Sequence, residues 1–347
     1  MPPVPVFDGH NDVLLRLWLK TGGDSVADFL QGDGLGHMDM PRMKKGGFAG
    51  GFFAIFAPSE DEDLPDDDDV NPPLAGQIAQ SGALRKTLEM AALLFRVERE
   101  SQGKFQVCRT VGEIRDCLAK GVMAAIFHIE GAEAIDADFK TLDVLYESGL
   151  RSLGPVWSRS NIFGHGVPFR FPSTGDTGDG LTGVGENLIC YCNERRLLID
   201  LSHLNEKGFW GAAKLSKAPL VATHSNVHAI CPSSRNLSDD QLKAIRDSGG
   251  IVGLNFATGF LREDGRWRTD TPLDIMVRHL DHLIMVAGEN CVALGSDFDG
   301  ARIPAAIGDA AGLPNLIETL RERQYGEKLI AKIAHENWLS VLERTWG

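Results

Sequence analysis

Short apolar, β-branched runs recur along this chain at Val4–Phe7, Phe48–Ala57, Val122–Ile129, Ser152–Val156, Leu197–Ser202, Leu220–Thr223, Ile251–Phe256 and Cys291–Ser296, each closing on polar or Gly-rich residues. Between most of them lie stretches with helical periodicity or helix-forming composition: Gln77–Glu100, Phe139–Ser148, Leu181–Arg195, Glu206–Leu215, Ser238–Ser248 and Pro272–Ala287. The alternation predicts an α/β protein with a parallel sheet. Eight runs match the closure number of a (β/α)₈, or TIM, barrel. Ser238, followed three residues later by Gln241, predicts a capping box at one helix start. The lack of any 20–50-residue repeat argues against a solenoid or propeller. The expectation is a single catalytic domain over 1–347 with an acidic loop insertion near 58–75. Within that insertion the run Asp66–Asp69 reads as a solvated loop, because four adjacent aspartates cannot converge on one ion.

Composition narrows the function classes. With 35 basic against 48 acidic side chains, the net charge of −13 opposes binding to nucleic-acid phosphates. Asp8, His10, Asp12, Arg16 and Lys20 interrupt any apolar leader at the start, and no stretch approaches the roughly 18 apolar residues of a membrane span. A cytoplasmic protein without a membrane anchor is expected. The six cysteines are scattered without CxxC spacing, which predicts reduced thiols rather than a disulfide scaffold or a thiolate zinc site.

The informative pattern is what ends the strands. His10 and Asp12 close the first run, and the period of two puts both on one side. Glu130 closes the third, His203 the fifth, His224 the sixth and Asp297 the eighth. Any one of these is more often a cap, turn former or satisfied core group than a ligand. Together, three histidines and three carboxylates meet at the C-terminal mouth of a barrel, where so many polar groups are costly without a cation to pair them. Imidazole with carboxylate suits Zn²⁺, and also Mn²⁺, Fe²⁺ or Co²⁺. Two ions need more donors than one, and a carboxylate bridges two ions with its two oxygens, which makes Glu130 the natural bridge.

At these residues the chain resembles the membrane dipeptidase (renal dipeptidase) family, peptidase family M19, within the amidohydrolase-like TIM barrels. The resemblance runs nearly end to end and is carried by Phe7-Asp8-Gly9-His10-Asn11-Asp12, Ile129-Glu130-Gly131, Asp200-Leu201-Ser202-His203, Thr223-His224-Ser225-Asn226, Ser234-Arg235-Asn236 and Gly295-Ser296-Asp297-Phe298-Asp299-Gly300, in the family's order. It implies that His10 and Asp12 hold one divalent ion, His203 and His224 a second, and Glu130 both, with Zn²⁺ the first expectation. It further implies a water or hydroxide between the ions as nucleophile, Asp297 as proton shuttle and Arg235 as partner of the substrate's terminal carboxylate. The implied substrate is a dipeptide, including one with a C-terminal D-residue, and homodimers are expected from the same resemblance.

One departure stands out. Where mammalian members carry an oxyanion-stabilising histidine after the fourth strand, this chain reads Gly154-Pro155-Val156-Trp157-Ser158, with Trp157 at the matching position. His165, in the same loop, is either a replacement donor or a loop-surface histidine, and Trp157 reshapes the pocket. His128, two before Glu130, reads as a packed core histidine or as support for the ligands. The alternative function is an amidohydrolase acting on N-acyl amino acids or another small amide or ester. A metal-stabilised binding protein without turnover would be missing ligands or the shuttle, and neither is missing from the sequence.

Overall fold

A computed structural model describes residues 3–59 and 66–347, so residues 60–65 of the expected acidic insertion lie outside the described residues. Among the described residues, nine strands run β1 (Val6–Asn11), β2 (Phe48–Phe56), β3 (Phe105–Val107), β4 (Met123–Glu130), β5 (Leu150–Leu153), β6 (Leu198–Ile199), β7 (Val221–Ala222), β8 (Ile251–Asn255) and β9 (Val292–Gly295). Every named strand pair is parallel. One sheet has the order β1-β2-β4-β5-β6 with β3 added to β4, and the other the order β7-β8-β9. Parallel bridges Asp200↔Val221 and Asn11↔Phe298 join the two sheets at both ends, and the ring closes as a TIM barrel of eight strands.

The ninth strand, β3, pairs only with Met123–Ala125 at the start of β4 and lies outside the eight sequence runs. The first run is displaced: β1 begins at Val6 and extends through Asp8 and His10 to Asn11, because those polar residues are themselves buried strand positions. The helical stretches predicted from sequence form within three residues of their expected bounds, Glu206–Leu215 with none to spare. The Ser238 capping box is present, with Ser238 Oγ accepting from Gln241 N and Gln241 Oε1 accepting from Ser238 N. Helices Val13–Leu19, Ser25–Gln31, Met40–Gly46, Val111–Lys120 and several after residue 309 add to those expected.

The barrel interior changes character along its axis. Alternate residues of β4 illustrate it: Ala124 and Ile126 belong to an apolar cluster with Phe7, Phe52, Val221 and Ile251, while His128 and Glu130 follow on the same side. Trp338, on the C-terminal helix Asn337–Trp346, plugs the apolar end, fully buried, with its Nε1 donating to Leu294 O at 2.9 Å. The opposite faces of the strands, including Ala125, Phe127 and Ile129, pack against the helices in the larger core. Both faces of each strand are therefore covered, which is why these strands read as nearly continuous apolar runs. Among the described residues, no helix is long and apolar enough to cross a membrane.

Candidate metal centre

At the polar end of the barrel, His10, Asp12, Glu130, His203 and His224 come together around one point. Glu130 Oε1 lies 2.8 Å from His203 Nε2, 3.3 Å from His224 Nε2 and 3.5 Å from His10 Nε2. Asp12 Oδ2 lies 3.3 Å from His10 Nε2. Two groups share Glu130, one with His10 and Asp12 and the other with His203 and His224. In each, one donor atom per residue lies within 4.8 Å of the others. Asp297 forms a further such group with His10 and His224.

The residues around this cluster fix which atoms face it. Asp200 is buried and accepts from Ser202 N, Ser202 Oγ and Thr223 N through one oxygen. Its other oxygen accepts from the Thr223 hydroxyl at 2.5 Å. Having donated there, Thr223 Oγ1 accepts from His224 Nδ1 at 2.8 Å, which leaves the His224 Nε2 lone pair pointing inward. Ser158 Oγ, 2.7 Å from His203 Nδ1, turns the Nε2 of that ring inward in the same way. The two Nε2 atoms end 3.0 Å apart.

Electrostatics give the same picture. Burial keeps His203 and His224 far below the ordinary histidine range, helped by the positive charge of nearby groups, so both are neutral donors. Burial also acts to lower His10, but Glu130 and Asp12 together outweigh it and raise His10 to about 10. Glu130 is itself held well above the carboxylate range, by burial first and by its acidic neighbours after that. His10 thus carries a proton at neutral pH that offsets part of the carboxylate charge around it. His10 Nδ1 and Nε2 and Asp12 Oδ1 are buried without a hydrogen-bond partner. Neutral imidazoles with converging lone pairs, excess carboxylate charge and orphaned donor atoms fit a divalent cation site.

Asp297 sits at the edge of this cluster, 9% exposed, in the left-handed backbone region at φ 58. Its Oδ2 accepts from Asn255 Nδ2 at 2.9 Å, and its N–H donates to His10 O at 3.0 Å. Burial raises its pKa above the usual carboxylate value. Gly300 lies against the same carboxylates: a Cβ there would stand 2.1 Å from Asp12 Oδ2 and 2.7 Å from Asp297 Oδ1. Only a residue without a side chain leaves both acids in place.

Arg235 is buried beside the cluster. It donates from Nη2 to His224 O at 2.9 Å and from Nη1 to Ser225 Oγ at 2.8 Å, while Nε has no partner. Burial lowers it to about 10, still charged at neutral pH. Among the described residues, no carboxylate lies within 4.0 Å of it. A cavity of about 1190 Å³ opens over Asp12, Glu130, His203, His224, Asp297 and Arg235.

Trp157 lines the same cavity, its ring 5.8 Å from that of His203. Its neighbour Arg159 is buried and pairs with Glu133 at 2.9 Å. The Arg159 guanidinium lies 5.3 Å from the Trp157 ring and 5.0 Å from Phe56. His165 is not brought to the cluster. Its Nδ1 pairs with Ser160 Oγ at 2.9 Å and its carbonyl accepts from Asn205 N, and it is not among the residues that line the cavity. His128 lies one layer below, with Nδ1 against Ser152 Oγ at 2.9 Å and Nε2 3.8 Å from Asp200.

Sequence reasoning missed the residues that orient the imidazoles, Ser158 and Thr223, and the partner of Asp297, Asn255. A signal was available: Thr223 precedes His224 directly, and Asn255 is a polar residue inside an otherwise apolar run. Phe169, which faces the cavity from the loop after β5, carries no sequence signal at all.

The sequence pattern of the membrane dipeptidase family (peptidase family M19) matches residues 1–346. A metallo peptidase from Rhodobacter sphaeroides, crystallised with a phosphinate mimic of the dipeptide L-Ala-D-Ala, superposes with a TM-score of 0.95 at 53% identity, covering 99% of this chain and 100% of that one. A second crystal structure, dipeptidase AC of family M19, gives 0.94 at 55% identity over 99% of both chains. A Klebsiella pneumoniae protein encoded in the pqqA 5′ region and described as uncharacterized is 49% identical over 258 residues, 74% of this chain and 95% of its own length. The chain belongs to the membrane dipeptidase family, peptidase family M19, and its class is that of the metallo-dipeptidases.

Proposed function

We propose that this chain hydrolyses dipeptides with a binuclear centre, one divalent ion held by His10 and Asp12 and the other by His203 and His224, with Glu130 shared between them. The observation that carries the reading is Arg235, a buried cation with no acidic partner among the described residues, bonded directly to the backbone of His224. A buried arginine facing a cavity is a costly arrangement unless an anion completes it. A dipeptide supplies such an anion, its terminal carboxylate, only a few bonds from its scissile carbonyl.

When bound, the pair of ions, Zn²⁺ by the chemistry of the donors, lowers the pKa of water and polarises the carbonyl. The chain's own residues do the rest. Glu130, His10 and Asp12 fix the position of reaction, and the Ser158 and Thr223 hydroxyls hold the two imidazoles in the donating tautomer. Asp297, raised by burial and held by Asn255, takes a proton from the attacking water and returns it to the departing amine. Arg235 pairs with the terminal carboxylate through the free edge of its guanidinium. Substrates include dipeptides with a D-residue at the C-terminal side; the L-Ala-D-Ala mimic bound by the Rhodobacter sphaeroides relative supports this choice.

The test is metal analysis followed by kinetics. Two ions per chain are expected, with cleavage of L,L- and L,D-dipeptides and loss of cleavage when the terminal carboxylate is amidated. Arg235→Lys should lower kcat/KM by about 10²-fold on dipeptides and little on C-terminally amidated ones. Faster turnover of N-acyl amino acids than of any dipeptide would overturn the assignment.

A further inference from the structure

The wall of the cavity beside Arg235 and the metal centre is aromatic, and Phe169 is one of the rings that line it. Phe169 lies with its ring 6.4 Å from His203 on one side and 5.2 Å from Phe260 on the other. Phe260 in turn lies 5.8 Å from the Arg235 guanidinium. Phe169 and Phe260 together thus lie between a residue of the metal centre and the Arg235 cation. Trp157 and Trp267 meet it at 5.6 and 6.2 Å. Phe169, Phe260 and Trp267 all line the cavity, but Phe260 and Trp267 are each only 4% exposed, whereas Phe169 is half-buried and presents more of its ring.

The position of this ring is tied to that of Arg235. On either side of Phe169, Arg170 N donates to Ser234 Oγ at 3.0 Å, Ser234 N donates to Arg170 O at 3.0 Å, and the Ser234 hydroxyl donates to Pro168 O. Ser234 is the residue before Arg235. The same short segment thus fixes the charge that takes the carboxylate and the ring beside it. Farther out, Asn71 bonds both the N–H and the carbonyl of Phe171.

We propose that Phe169 forms the subsite for the side chain of the substrate's C-terminal residue and limits it to compact apolar groups. This rests on the dipeptidase reading. With the carboxylate at Arg235 and the carbonyl at the metal centre, the α-carbon of that residue lies between them, beside the Phe169 ring. A methyl or small branched side chain buries apolar surface against the ring. A benzyl group meets a ring held in place by contacts with Phe260, Trp157 and Trp267. A carboxylate side chain loses hydration against an aromatic ring, which offers it no hydrogen bond in exchange.

The test compares wild type, Phe169→Ala and Phe169→Leu, each metal-loaded, on L-Ala dipeptides with C-terminal Ala, Leu, Phe and Asp in both configurations. Wild type should favour Ala over Phe and over Asp by about tenfold or more in kcat/KM, the scale on which a pocket wall discriminates side chains. Phe169→Ala should raise the Phe-to-Ala ratio by about tenfold, mainly through KM, and Phe169→Leu should fall between. Circular dichroism and metal content identify folded, loaded protein, and the leucine variant retains an apolar side chain should the alanine variant not fold. Unchanged ratios in the folded variants, or an equal loss on all substrates, overturn the assignment of Phe169 while leaving the dipeptidase reading intact. A wild type that cleaves no dipeptide overturns both.

Discussion

His203 and His224 enter the cavity with their far ring nitrogens tied to hydroxyls, Ser158 and Thr223, and Thr223 is anchored in turn by buried Asp200. On the other side of Glu130, His10 and Asp12 present buried atoms with no such tether. The imidazole half is oriented by the protein before anything binds, whereas the carboxylate half holds a protonated His10 and donor atoms left unsatisfied. Orientation comes from the first and attraction for a cation from the second, so the two halves should fail in different ways.

The sharpest test removes the residue common to both. Glu130→Gln should lower dipeptide turnover on the order of 10³-fold or more, because the ions contribute several kcal/mol to the barrier. Elemental analysis should show less metal per chain; full occupancy would mean that the halves do not depend on a shared donor. Asp297→Asn should reduce kcat by about 10²- to 10³-fold with metal content unchanged, the amount that proton transfer supplies. If metal is lost instead, Asp297 belongs with the ligands rather than with proton transfer.

Thr223→Val acts on the imidazole half alone. It should weaken the ion at His203 and His224 by about 10- to 100-fold in a chelator competition, leaving the ion at His10 and Asp12 in place. Equal weakening of both would erase the distinction. The carboxylate half is read by pH. His10, raised to about 10, holds a proton at neutral pH that a cation must displace, so metal affinity should rise with pH, by about tenfold per unit for each proton released. An affinity flat between pH 6 and 9 would show that His10 is already neutral when the ion arrives.

Most of the barrel was legible because strands covered on both faces are apolar almost throughout, as in Phe48–Phe56 and Met123–Ile129. The first strand was misplaced because Asp8 and His10 are buried polar residues that break such a run: Asp8 accepts from Ser296 N and Oγ at the seam between β1 and β9, a pairing invisible in one dimension. Strand Phe105–Val107 was missed since three residues carry no period. Helix Val13–Leu19 follows Asp12 without a turn, and its apolar residues alone do not distinguish it from a strand. At the centre, strand-end histidines and acids could be read because their spacing follows the barrel's geometry. Ser158, Asn255 and Phe169 could not, since a hydroxyl, an amide and a loop aromatic gain their meaning only from what they touch in three dimensions.

The barrel's closure has a mechanical consequence. Among the described residues, its two sheets are joined at β6–β7, where each strand has two residues, and at the ends of β1 and β9, each seam carrying one isolated bridge and a few hydrogen bonds instead of a long ladder. His10, Glu130 and His203 stand on one panel, and His224 and Asp297 on the other. Ions gripped by both panels would act as rivets across these thin joints. Backbone amides there, among them Leu201 and Asp297, should exchange with deuterium far more slowly in the loaded enzyme than in stripped protein, while amides of the broad β2–β4 pairing change little.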